Sequence, residues 1–154
     1  MAQTCFTYGS TETDYLSRRD KRLARVIERV GHIDRACHED LFESLVNSII
    51  GQQISTKAHQ TIWAKLKRDL GHVDADALLE LGPERLQAYG TTWRKVDYIM
   101  DLAAKVEAGE FDPESIASMD DASAITTLSS LRGVGVWTAE MMLLFCLQRP
   151  DILS

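Results

Sequence analysis

Two glycines two residues apart, in Leu131-Arg-Gly-Val-Gly-Val-Trp-Thr-Ala139, are the residues of this chain best suited to do chemistry. Gly133 and Gly135 can take a positive φ, or admit another backbone where a Cβ would clash. Leu131 and Val134 are apolar and suited to anchor such a turn in a core. From Trp137 to Leu147 the chain reads as a helix with almost no polar face, which predicts burial. A buried helix that starts just after two glycines aims the N–H groups of its first turn outward. Those amides and the helix dipole make an anion site, and phosphate is the usual anion. Thr138 adds a candidate hydroxyl contact. The plain alternative is a helix-turn-helix corner with a glycine at the C-cap. Short glycine motifs taken alone carry a real false-positive risk.

The elements that must position this turn are helices. Residues 14–31 carry Tyr15, Leu16, Leu23, Val26, Ile27 and Val30 at three- and four-residue spacing. Asp40 caps a helix ended by Gly51, and Ser55 caps one with Ala58, Ile62, Leu66 and Leu70 in a stripe, stopped by Gly71. Shorter helices follow at 75–81 and at 83–89, the second opened by Pro83. Thr92 caps a longer one stopped near Gly109, and Pro113 and Asp120 open two more. Strict apolar–polar alternation is nowhere convincing, so the class is all-α, with many short helices. The expected organisation is a polar tail over 1–13 and one domain over 14–154, with the glycine hairpin at about 125–147.

Composition narrows the class further. Hydrophobic residues make up 45% and charged residues 26% of the 154, which is ordinary for a globular domain. No apolar run is long enough to span a bilayer, so no membrane partner is expected, and residues 1–15 lack the apolar stretch of a signal peptide. Cys5, Cys37 and Cys146 are odd in number and widely spaced, forming neither a disulfide framework nor a metal cluster. A reducing, cytoplasmic compartment is the expectation. The net charge of −6 argues against nucleic-acid binding by bulk charge. Its distribution is uneven: 16–35 are basic, 54–70 are mildly basic, and 107–121 carry acids and no base. A protein that grips a short stretch of backbone through amides needs few lysines, so the acidic total predicts modest affinity and a shallow salt slope. The basic face of 16–35 reads as a solvated surface. Arg94 and Lys95 either touch backbone phosphates or solvate a helix start.

Beside the hairpin, Ile49-Ile-Gly-Gln-Gln-Ile-Ser-Thr-Lys57 and the segment from Leu86-Gln-Ala-Tyr-Gly90 through Arg94-Lys-Val-Asp-Tyr-Ile-Met-Asp-Leu102 stand in order. Together the three segments resemble the helix-hairpin-helix (HhH-GPD) base-excision DNA glycosylases. The nearest branch is that of the 3-methyladenine DNA glycosylase II type, and the resemblance runs from about residue 15 to the end. It implies an all-α, multi-helix fold, incomplete at the C-terminus, and double-stranded DNA with alkylated bases as partner.

The resemblance also implies roles. Gly133, Val134 and Gly135 match the hairpin whose amides hold a DNA phosphate, often with a monovalent cation, Na+ or K+, at carbonyls such as those of Leu131 and Gly133. No other cofactor and no iron–sulfur cluster is implied. Gln53 stands where the family places a wedge that fills the gap left by a flipped nucleotide. Flipping is needed because the glycosidic bond is out of reach inside the duplex. The plain alternative for Gln52 and Gln53 is helix-end capping and structural hydrogen bonding, which suits Gln52. Trp137 occupies the position that holds a lysine in the lyase branch, so Schiff-base strand cleavage is not expected. An indole face suits a cationic alkylated purine, and simple hydrophobic burial is the plain alternative. Met141 shares its helix face. Glu140 contacts either the base or a partner group, or reaches the helix edge.

The family's catalytic aspartate follows Trp137 by roughly twenty positions, near 157, beyond Ser154; Asp151 precedes the active-site loop and is not promoted to catalyst. No catalytic residue is therefore assigned, and the expectation is a monofunctional glycosylase chain without hydrolytic power by itself. The other class is a non-catalytic helix-hairpin-helix DNA-binding or interaction module. The apolar face of 14–31 is a candidate for self-association.

Overall fold

Most helix starts among the described residues fall where a short polar side chain accepts the otherwise unpaired amides of a first turn. The computed structural model describes residues 6–38 and 40–152; Cys5 lies outside them. No β-strand forms among these residues, and none of their helices is long and apolar enough to cross a membrane. The chain divides into two compact units, Met1–His38 and Glu39–Ser154.

The first unit holds α1 (Ser10–Arg19) and α2 (Lys21–Val30). The single helix expected over 14–31 is thus two. The break is at Asp20, whose backbone is extended and whose Oδ1 accepts from Arg22 N at 2.7 Å and Leu23 N at 3.2 Å. An aspartate prefers capping a new helix to continuing an old one, because its short carboxylate competes for nearby amides. Gly31 ends α2 at φ 76°. No side chain of α1 or α2 is buried, and Tyr15, Leu16, Val26 and Val30 are exposed.

The second unit is built from α3 (Leu41–Gly51), α4 (Thr56–Leu70), α5 (Ala75–Leu81), α6 (Pro83–Ala88), α7 (Trp93–Glu107), a 3-10 turn (Glu114–Ser118), α8 (Asp121–Ser129) and α9 (Val136–Phe145). Asp40, Ser55, Asp74, Thr92 and Asp120 cap α3, α4, α5, α7 and α8 through their side chains. Several acids of the 107–121 run are engaged in this way: Asp112 accepts from Glu114 N at 3.0 Å, and Asp120 from Ser123 N at 2.9 Å. In the basic run, Lys67 pairs with Glu43 at 2.8 Å and Arg68 with Asp69 at 2.8 Å.

The core is centred on α3, where Leu45, Val46, Ile49 and Ile50 have no exposed surface. Each such side chain contributes about 2 kcal/mol by burial. α3 packs against α4, α7 and α9, and α8 packs against α9. Arg149 ties the chain after α9 back to the start of α8. It donates to Asp121 Oδ1 at 2.7 Å and to the Ile116 carbonyl at 2.9 Å. The hairpin helices therefore run over 121–145 rather than 125–147, because Asp120 caps the first of them.

Candidate nucleic-acid interface

Helix α3 ends in a tight turn whose carbonyls need donors. Lys95, on the first turn of α7, supplies them: its Nζ donates to the Ile50 carbonyl at 2.8 Å and the Gln52 carbonyl at 2.6 Å. The residue is only 9% exposed. Burial first, and the neighbouring Arg94 guanidinium second, pull its pKa below the ordinary lysine range. A cation at a helix C-terminus also complements the dipole. Lys95 thus neither meets solvent nor stands free for a phosphate. The sequence carried a signal for this. Lys95 lies four residues before Ile99 and seven before Leu102, on the buried stripe of α7. Gly51 gives the turn close packing: a Cβ there would lie 3.1 Å from the His59 ring. His59 in turn is hydrogen-bonded to Asn47 Oδ1 at 2.6 Å. After this anchored stretch, Gln53 stands exposed at φ 54°, in the left-handed region. A non-glycine residue there costs roughly 1 kcal/mol and persists only where its surroundings impose it.

The hairpin turn between α8 and α9 is held differently. Leu131 and Val134 are buried, and Val134 N donates to the Leu131 carbonyl at 3.1 Å. Gly133 sits at φ 81°, and a Cβ there would lie 2.2 Å from Tyr98 Cδ2. Glycine is required at that position for both reasons. Gly135 is different: it is extended, at φ −94°, and nothing lies within 4 Å of where its Cβ would be. Of the two glycines expected to need conformational freedom, the fold needs one. The other leaves open space before the first amides of α9. Arg132 pairs with Asp97 and lies 5.4 Å over the Tyr98 ring, so α7 holds the turn from outside.

The two turns are joined. Gln52 Nε2 donates to the Gly133 carbonyl at 2.7 Å, a contact between residues 81 apart in sequence. The structural hydrogen bonding expected of Gln52 is present, with a specific partner. This bears on the cation expected at the Leu131 and Gly133 carbonyls. Both oxygens are hard acceptors of the kind Na+ and K+ prefer. Each already takes a protein N–H, however, and the Gly133 oxygen faces an amide at 2.7 Å. Each carbonyl oxygen keeps a second lone pair, and no step here depends on an ion at them.

Other expected site residues fall in mixed places. Thr138 is 7% exposed, so most of the residue is packed against the core. The side chain points inward because α9 packs its Thr138, Ala139, Met142 and Leu143 stripe on the core. Trp137 corrects the expectation of an all-round buried helix: it is 63% exposed, as is most of Val136. Val136 and Trp137 lie on the face of α9 turned away from the buried Thr138, Ala139, Met142 and Leu143 stripe, so they meet solvent. Met141 packs partly on the core and Glu140 is half-buried. A groove of about 410 Å³ opens between the Gln52–Ile54 turn and Thr92, Arg94, Lys95 and Tyr98. Trp137, Glu140 and Met141 do not line it. Arg94, one of the two residues for which the sequence left phosphate contact open, lines this groove, and Tyr98 is a neighbour that the sequence did not single out. Asp151 is exposed, at φ 62°, beyond α9.

The arrangement is an amide-bearing hairpin beside a turn that presents a long polar side chain. The family model of the HhH-GPD superfamily base excision DNA repair proteins matches residues 46–150, which contain both turns. The chain belongs to this superfamily. The HhH-GPD chain is 25% identical over 146 residues to DNA-3-methyladenine glycosylase 1 of Schizosaccharomyces pombe, covering 90% of this chain and 64% of that protein. It is 28% identical to a DNA-3-methyladenine glycosylase of Bacillus subtilis, covering 72% of this chain and 41% of that protein. The chain thus spans less than two thirds of the length of these curated relatives. Among solved structures, a DNA-3-methyladenine glycosidase of Bacillus halodurans is 31% identical, with a TM-score of 0.78. That match covers all of this chain and 71% of the other. The S. pombe enzyme in complex with abasic DNA is 25% identical, with a TM-score of 0.79, over 92% of this chain and 72% of that one. These HhH-GPD relatives share the all-α architecture.

Proposed function

We propose that this chain binds duplex DNA as part of a monofunctional glycosylase that removes alkylated bases, 3-methyladenine among them, by hydrolysing the N-glycosidic bond. The observation that carries the reading is the open space at Gly135 before the first amides of α9, one hydrogen bond away from the turn presenting Gln53. A phosphate can approach such amides closely, without base readout. Gln53 is exposed and can fill the gap left by a flipped nucleotide, offsetting part of an unstacking cost of a few kcal/mol. The exposed indole of Trp137 offers no amine for a Schiff base, and its face suits a cationic alkylpurine, worth about 0.5–2 kcal/mol. The names printed for the relatives support the substrate class, and the S. pombe complex supports DNA as ligand. A cytoplasmic location is part of the same proposal and rests on the cysteine usage of the sequence.

The reading is tested by fluorescence anisotropy on a duplex with one abasic site. The expected result is salt-sensitive binding by the wild type, with a slope corresponding to about one to three phosphates. Gly135→Val should weaken it about tenfold, a loss of about 1.4 kcal/mol, while the fold is kept, because the new side chain enters open space in front of the amides. A wild type that binds no duplex DNA sinks the proposal. A folded Gly135→Val protein with unchanged affinity removes the hairpin from it.

A further inference from the structure

We infer that Gln52 is a positioning residue that sets the spacing between the wedge turn and the phosphate-binding hairpin. The inference rests on the DNA-binding reading above and assigns a part in it to a residue held by protein contacts at both ends. Gln52 is held at both ends. Its backbone carbonyl accepts from Lys95 Nζ at 2.6 Å, and its side-chain Nε2 donates to the Gly133 carbonyl at 2.7 Å. The α-carbon of Gly133 in turn lies against the ring of Tyr98. Tyr98 and Lys95 are three residues apart on α7 and so share a face. The links close a ring: Lys95 to Gln52, Gln52 to Gly133, Gly133 to Tyr98, and back along α7. Gln53, the wedge, is the next residue after Gln52, and Gly135 is two residues after Gly133.

Of the four links, three are made by elements the fold cannot give up: a helix, a buried ammonium and a glycine against a ring. The fourth is one side-chain amide. A carbonyl acceptor admits only the NH2 end of that amide, so the bond is directional and a residue without a donor cannot replace it. A ligand that uses the hairpin alone does not register the spacing. A ligand that must engage hairpin and wedge together, such as a duplex with a nucleotide missing from its stack, does.

The test compares two duplexes of the same sequence, one intact and one with a single abasic site, against the wild type and Gln52→Met. Methionine keeps the length and volume but has no donor. The wild type should prefer the abasic duplex about tenfold, and Gln52→Met should lose most of that preference while binding intact duplex within about twofold of wild type, since a lost positional coupling falls on the two-site ligand. Gln52→Glu, which sets a carboxylate against the carbonyl, should lose the preference as well. Thermal melts of both variants separate this result from partial unfolding, which would weaken binding to both duplexes alike. An abasic preference retained in Gln52→Met overturns the inference. So does a parallel loss on both duplexes, or a wild type that binds the two equally. A wild type that binds neither overturns the functional reading itself, so the two failures are distinguishable.

Discussion

The turn after α3 and the turn before α9 meet at one hydrogen bond, yet they are built in opposite ways. The first is held by side chains and presents a side chain. Lys95 and Gln52 fix its carbonyls and its spacing, and Gln53 stands out in the left-handed region. The second is anchored by its buried Leu131 and Val134 and by Arg132 against α7, and it presents backbone. Gly133 has no side chain because Tyr98 occupies its place, and Gly135 leaves open space in front of α9. A phosphate is well met by fixed amides, which lose no rotamer freedom on binding. A gap in a base stack must be filled with atoms, which only a side chain supplies. The contrast teaches that the two tasks place different demands on one interface, and that the fold brings the two solutions within one bond of each other.

The strongest way to break the comparison is Gly133→Ala. A Cβ 2.2 Å from Tyr98, at a positive φ, should cost about 3 kcal/mol in overpacking and strain, lowering the melting temperature by about 10 °C by circular dichroism. A loss below about 1 kcal/mol would mean that the backbone-presenting turn tolerates a side chain after all. Next is Lys95→Met on the side-chain-held turn. It relieves the burial of a charge but leaves the Ile50 and Gln52 carbonyls without their donor, and unsatisfied carbonyls cost about 1–3 kcal/mol each. The carbonyl term wins, so denaturant unfolding should show a net loss of about 2 kcal/mol. A neutral or stabilised variant would show that desolvation dominates. The smallest effect belongs to Gln53→Gly. Removing the left-handed strain should stabilise the fold by up to about 1 kcal/mol, while affinity for the abasic duplex falls. A gain in stability with no loss of binding would remove Gln53 from the interface.

Legibility in the sequence followed the range of the interactions. Asp40, Ser55, Asp74, Thr92 and Asp120 cap helices within three residues of themselves, so those starts could be read locally. At Asp20 the apolar pattern running through the residue suggests one helix, and the cap preference wins. The hairpin was legible because Gly133 and Gly135 are spaced for it, but the division of labour between them was not, since it depends on Tyr98 arriving from α7. Thr138 and Trp137 exchanged expected environments for a similar reason. Their exposure is set by which face of α9 is turned to the core, not by their own types.

Composition, caps and periodicity by themselves determined an all-α chain, the approximate bounds of most of its helices, and two glycine- and glutamine-marked turns, because each of these rests on contacts within a few residues. Tertiary structure decided that Lys95 is a buried donor, that Gln52 reaches Gly133 across 81 residues, and that Gly135 faces open space. A hydrogen bond between distant residues depends on where whole helices lie. That placement comes from burying a shared core, to which every apolar residue contributes and no short motif alone can report.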